Sequence, residues 1–243
     1  MFNYSIIKKE RFDKVWAQIK AAGLGEDIYP EEAKLRMALP IVDGQGQYIF
    51  NLTKESLADN LSTFVLQDND VFVPSAIGVL IGLTETATGV QHLFSFAPKN
   101  DDVHPSVFKA GFTTDTIDAL YAGHLQWKLG TNVVLNQYPM ENFKKVYRQQ
   151  GAFVLNSNDE PVQEGIQPEW CIENMLNLLM PKYTIAGNQD HFVSVNFDAG
   201  VKQFPVTSGY TAQLVLYMDG FLVKGGATRI NGKNAFGDAP ARF

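Results

Sequence analysis

The rhythm of apolar and polar positions changes along the chain, and each change marks an element. Between residues 124 and 129, His124, Gln126 and Lys128 alternate with Leu125, Trp127 and Leu129. A period of two describes a strand with one wet face and one dry face. With Gly130-Thr131-Asn132 as a turn and 133–138 as the return arm, it predicts a β-hairpin. The stretch 210–224 reads differently. Leu214, Val215 and Leu216 are apolar in succession, which predicts a strand in the middle of a sheet with both faces buried. Asp219-Gly220 interrupts it, either as a hairpin turn or as a bulge in one continuous strand. Residues 71–86 form a second long apolar stretch, one strand or two, kinked at Pro74 and Gly78. Proline inside such a pattern points to an edge or a bulge.

The remaining pattern fills in around these. Phe12, Val15, Trp16 and Ile19 recur at helical spacing, with Gly23 as the stop, which predicts an N-terminal helix. Its apolar stripe packs either on its own domain or on a neighbouring subunit, and these four residues are the candidate subunit interface. Residues 25–40 read as a connector with extended character at 35–39. Residues 41–52 form a candidate hairpin around Gly44-Gln45-Gly46, and 90–97 a returning strand. Thr114 is placed to cap a short helix carrying Ile117, Leu120 and Tyr121 on one face. Residues 98–112 and 156–168 are loops. Met175, Leu176 and Leu179 suggest an apolar helix over 170–179, and 183–186 and 192–197 two further strands.

Strands in hairpin-like pairs separated by long excursions suit a β-sandwich or jelly roll rather than βαβ units. The expected fold is mainly β, with about eight to ten antiparallel strands, short helices in connections and an N-terminal helix. The expected organisation is a helix and arm over 1–40, a single jelly-roll or sandwich domain over 41–226, and a tail over 227–243. A strand so near the C-terminus must pair with strands laid down much earlier, as in a Greek key.

Composition narrows the function. Charged residues make up 19% of the chain, below the roughly 25% of average soluble domains, which suggests surface buried against other copies. The net charge is −6 and no run of Lys or Arg occurs, so no basic footprint for direct nucleic-acid binding is present. Cys171 is the only cysteine, so no disulfide forms within the chain. The first residues lack the basic-then-apolar order of a signal peptide, and no apolar run reaches the ~18 residues of a membrane span. The expectation is a soluble chain made inside a cell.

Candidate chemistry is sparse. His92, His104, His124 and His191 are scattered without metal-ligand spacing. No nucleophile elbow or phosphate-cradling loop occurs. Asp190-His191 is either a turn acid before a half-exposed strand histidine or a catalytic dyad. Asp68, Asp70, Asp101, Asp102 and Asp115 are loop acids without the spacing of an EF-hand. Cys171 on an apolar stretch reads as core. The expectation is no enzyme, no catalytic residues, no cofactor and no metal.

A resemblance adds a specific reading. The N-terminal helix is followed by Gln47-Tyr-Ile-Phe-Asn-Leu, Asp70-Val-Phe-Val-Pro-Ser-Ala-Ile-Gly-Val-Leu-Ile and Leu120-Tyr-Ala-Gly-His-Leu-Gln-Trp. Later come Phe192-Val-Ser-Val-Asn-Phe and Leu214-Val-Leu-Tyr-Met-Asp-Gly-Phe. This order of elements, over residues 41–224, resembles the jelly-roll coat proteins of tailless icosahedral bacteriophages. The resemblance implies a virion structural protein that forms or decorates an icosahedral capsid shell through subunit contacts. It implies copies of itself, as trimers or larger capsomers, and other virion proteins as partners. The chain lacks the basic N-terminal arm of genome-binding coat proteins, so any contact with an internal membrane or genome would run through other proteins. The alternative is a carbohydrate-binding β-sandwich of a phage fibre or tail, with Trp127, Tyr138 or Tyr147 as sugar platforms. The fold alone does not choose between them.

Overall fold

In the computed structural model the described residues are 4–21, 28–52, 64–95, 114–129, 132–144, 153–155, 161–163, 176–179, 183–187, 189–197 and 208–227. Over these the chain is mainly β. It opens with helix α1 (Tyr4–Ala21), followed by β1 (Pro30–Pro40), β2 (Gln47–Asn51), β3 (Val71–Glu85) and β4 (Gln91–Phe94). Helix α2 (Thr114–Tyr121) precedes the hairpin β5 (His124–Leu129) and β6 (Asn132–Pro139), which ends in a 3-10 turn, Met140–Phe143. Then come β7 (Phe153–Leu155), β8 (Pro161–Gln163), β9 (Asn177–Leu178), β10 (Ile185–Ala186), β11 (His191–Asn196) and β12 (Tyr210–Val223). Every pairing is antiparallel.

Two larger sheets result. One is six-stranded, in the order β1-β12-β3-β10, with β4 and β9 also pairing on β3. The other is four-stranded, in the order β2-β11-β5-β6. The pair β7-β8 stands apart. β12 therefore lies between β1 and β3, in the interior position that its unbroken apolar run predicts. β3 is one continuous strand, flanked by β12 on one side and by β10, β9 and β4 in succession on the other.

One hydrophobic core joins the facing sides of the two sheets. Leu35 and Met37 of β1, Val79 and Ile81 of β3, and Leu214, Leu216 and Met218 of β12 meet Tyr48 and Phe50 of β2, Leu125 and Trp127 of β5, and Val193 and Val195 of β11. Trp127 is fully buried and meets Tyr183 edge to face at 5.4 Å. The Tyr121 hydroxyl, at the end of α2, donates to the Val79 carbonyl at 2.8 Å. Burial pushes that phenol's pKa up.

Several elements depart from the sequence reading. The hairpin expected over 41–52 does not form, because β1 and β2 on either side of the turn pair in different sheets. The loop expected over 156–168 contains β8. The expected connector, read as extended over 35–39, is a strand already from Pro30, paired with β12 along its whole length. Its alternation of Ala33, Leu35, Met37 and Leu39 has the strand period, but prolines bracket it and its partner lies at the far end of the sequence. The expected helix over 170–179 is extended in its described part, where Asn177 and Leu178 pair with Ile77 and Ala76. Short apolar runs do not separate helix from strand by spacing alone. Pro74, expected at an edge or a bulge, lies at a bulge in an interior strand. β12 pairs Asp219 with Ala76 and Gly220 with Pro74, leaving Ser75 over. Pro74 falls in the gap between the β10 and β9 pairings on β3's other side, where its missing N–H interrupts no ladder. Asp219-Gly220 is thus a bulge in a continuous strand and not a hairpin turn.

Candidate functional site

The outward side of the six-stranded sheet is where the candidate interface residues fall. Extra residue Ser75 changes the parity of β3, so Val71 and Val73 share this side with Ala76 and Leu80 beyond the bulge. From β12 the side receives Val215, Tyr217, Asp219, Phe221 and Val223. At one end, Val15 and Ile19 of α1 are buried on Val71, Val73, Phe221 and Val223. Phe12 and Trp16 flank them partly buried, Phe12 meeting Phe221 edge to face at 5.7 Å. Trp16 stacks on Tyr29 at 4.6 Å, with the Lys20 ammonium over its ring at 4.9 Å. Towards the other end, Val215, Tyr217, Ala76 and Leu80 cluster with Leu176.

The stripe Phe12, Val15, Trp16 and Ile19, a candidate contact with a neighbouring subunit, is therefore engaged by the chain's own sheet. Within the chain, Val15 and Ile19 are buried on β3 and β12, while Phe12 and Trp16 stay partly buried. The physical reason is the second apolar side of the β3–β12 pair. Left bare it would expose valine and phenylalanine side chains to water, and α1 removes them at about 25 cal/mol per Å² of apolar surface buried.

Where the helix crosses the bulge the contact turns polar. Arg11 is 4% exposed. Its guanidinium donates to the Ser75 carbonyl and, at 3.0 Å, to the Leu179 carbonyl. Leu179 N–H in turn donates to the Ser75 carbonyl at 3.0 Å. Asp219 is 1% exposed, and its carboxylate lies 3.4 Å from the Lys8 ammonium, which also meets Glu32 of β1 at 2.9 Å. Burial acts to lower the Lys8 pKa, but the hydrogen bond to Glu32 and the charges of Asp219 and Glu32 outweigh it and the net shift is upward. Gly220 is required beside this group. A Cβ there would run into the Val73 carbonyl and come within 2.8 Å of Pro74 Cα.

Reading the sequence for chemistry passed over Lys8, Arg11, Ser75 and Asp219. The signal was available for two of them. Arg11, Val15 and Ile19 are spaced by four, so they share one helix face. Asp219 is the one acid in a strand that is apolar on both sides, and a charge in such a place requires a partner. Ser75 depends on the bulge register, which no local pattern fixes.

The remaining candidates fall elsewhere. His191 is 2% exposed rather than half-exposed. Its Nε2 lies 3.1 Å from both the N and the O of Ala186, tying the start of β11 to the end of β10. Burial lowers its pKa to about 4, against smaller opposing effects of the Ala186 backbone and Asp190. Asp190 is exposed, and no hydrogen bond joins it to the ring among the described contacts. The Asp70 carboxylate accepts from Gln67 N–H at 3.1 Å and Gly225 N–H at 2.9 Å, clamping the start of β3 to the end of β12. Among the described residues no group of three His, Cys, Asp or Glu side chains is arranged to hold a metal ion. Trp127, a proposed sugar platform, is in the core, and Tyr138 packs against Phe143 at 5.5 Å. Cys171, Tyr147, His104, Asp101 and Asp102 lie outside the described residues, as does the Asp115 side chain.

The outward side of the four-stranded sheet is amide-rich instead. Gln47 donates to Asn196 at 2.7 Å and Gln126 to Asn136 at 3.1 Å. Lys128 lies over the Phe192 ring at 5.2 Å. Among the described residues no helix packs on this side. Comparisons with protein-family models, with curated proteins and with solved structures find no match to this chain.

Proposed function

We propose that the chain is a jelly-roll structural protein, and more particularly a subunit of an icosahedral virion shell. The strand order carries the proposal. Taking β1, β2, β3, β5, β6, β10, β11 and β12 as successive strands, one sheet reads first, eighth, third, sixth and the other second, seventh, fourth, fifth. Consecutive strands alternate between sheets, except at the β5–β6 hairpin, as two interleaved Greek keys require. This double-sheet jelly roll recurs in viral capsid domains, and also in lectins and cupins. β4 then belongs to an excursion between the third and fourth strands, and β7, β8 and β9 to one between the fifth and sixth.

Other observations favour the shell over its relatives in fold. A cupin-like reading lacks a metal-ligand cluster among the described residues. A lectin-like reading loses Trp127 as a platform because the indole is buried. Low charge density and the resemblance in element order support subunit association. The partners are copies of the chain, as trimers or larger capsomers, and other virion proteins. Assembly takes place in the host cytoplasm, and contact with genome or internal membrane runs through other virion components.

Electron microscopy and mass photometry of the purified chain, with mass spectrometry of the parent particle, test this reading. Capsomers of three or more copies, and the chain recovered from particles, are expected. A strict monomer at all concentrations that is also absent from any particle would contradict it.

A further inference from the structure

We propose that the bulge on β3 is a guanidinium-selective binding site, filled in the folded chain by Arg11, and that its occupancy fixes α1 and the β9 segment to the sheet together. The site is made of backbone. The bulge frees the Ser75 carbonyl from the β12 ladder, and the chain leaving β9 brings the Leu179 carbonyl beside it through the Leu179 N–H to Ser75 bond. A carbonyl oxygen has two lone pairs, so Ser75 accepts from Leu179 and from Arg11 at once. Arg11 returns to Leu179 with its second nitrogen, closing a ring of three hydrogen bonds across α1, β3 and β9.

The shape of the acceptor pair sets the selectivity. Two fixed carbonyls suit a planar fork with several donors, whereas an ammonium is a compact point donor with a stronger hydration shell. The neighbouring charges suit a cation as well. Asp219 and Glu32 face α1 from β12 and β1, and Lys8 is the cation between them. The apolar stripe of α1 packs on Val71, Val73, Phe221 and Val223, and such packing is non-directional. Arg11, together with the Lys8 contacts to Glu32 and Asp219, supplies the directional bonds that hold the helix over the bulge. It also completes the edge of β3 in the gap between β10 and β9.

Chemical rescue in the full chain tests the site. Arg11→Ala is expected to lower Tm by roughly 10 °C, since it leaves buried carbonyls short of a donor in a chain of this size. Methylguanidinium at about 10 mM should restore part of that loss by mass action, and methylammonium at equal ionic strength should not. Hydrogen exchange should show α1 and residues 176–179 losing protection together in Arg11→Ala and regaining it together with methylguanidinium. Arg11→Lys should stay destabilised. If Arg11→Ala does not fold, Arg11→Lys decides: parental stability overturns the proposal, and a lowered Tm with joint loss of protection in the two segments upholds it. Equal rescue by the two cations, or rescue by neither, also overturns it.

Discussion

Val215 on β12 and Ile49 on β2 both point away from the shared core, yet Val215 is fully buried and Ile49 is 45% exposed. The two sheets differ in what lies behind them. The six-stranded sheet carries a second apolar layer, with α1 over one end and Leu176 in the cluster at the other. The four-stranded sheet carries paired amides and a lysine over a phenylalanine. Strands of a sheet covered on both faces read as continuous apolar runs, and strands covered on one face alternate. β3 and β12 against β5 illustrate both cases within one chain. The difference also bears on assembly. In the proposed assembly, a neighbouring subunit approaching the outward side of the larger sheet meets α1 at one end, while among the described residues the smaller sheet presents strands.

The largest expected effect sharpens this contrast with one substitution on each sheet. Val215→Asp buries a charge among Ala76, Leu80 and Tyr217 and should cost about 4 kcal/mol or more. Denaturant unfolding of the purified chain measures it, and a cost seen only in assembly would mean that a neighbour rather than the chain covers this side. Leu216→Ala, on the core side of the same strand, should cost ~2–5 kcal/mol. A smaller value would place β12 at the periphery of the fold.

Acid tests the corner where β10 of one sheet hands over to β11 of the other. The folded state holds His191 neutral, with a pKa near 4 against 6.5 in the unfolded chain. The unfolded state therefore binds more protons between these values, and stability should fall as the pH drops from about 6.5 towards 4, by on the order of 3 kcal/mol. Below about pH 4 this contribution no longer changes. The difference in unfolding free energy between the parent and His191→Gln, followed across that range, isolates the histidine from the carboxylates. A constant difference would show that the ring does not titrate as its burial requires. The smallest effect belongs to Ile49→Asp. Its side chain is 45% exposed on the outward side of the four-stranded sheet, so the change should stay within about 0.5 kcal/mol in the same unfolding measurement. A large loss there would mean that the smaller sheet is covered like the larger one.

What the sequence disclosed divides along the same line. The hairpin of β5 and β6, the two-sided burial of β12 and the helical stripe of α1 are local patterns, and their periods are readable residue by residue. β1 was half visible as extended character over 35–39, and its charged, proline-flanked beginning acquires meaning only beside β12. The short extended stretch at Asn177 was concealed because helix and strand share its apolar spacing. The polar group beneath α1 was half visible. Asp219 stands out in an apolar strand, and Arg11 lies on the helix face of Val15 and Ile19. Their meeting at Ser75 follows from a one-residue offset between strands far apart in sequence, and that offset is a property of the tertiary pairing.

That the chain's own helix closes the second side of its larger sheet can be tested by covalent bridging. In a Cys171→Ser background, cysteines replacing Lys8 of α1 and Glu32 of β1, whose side chains meet at 2.9 Å at the rim of this contact, should be joined by a short bis-maleimide within one chain, giving a monomer that carries one linker mass and no free thiol. Covalent dimers at low protein concentration would mean that α1 lies on a neighbour, and failure to bridge at all would mean that it leaves this sheet uncovered.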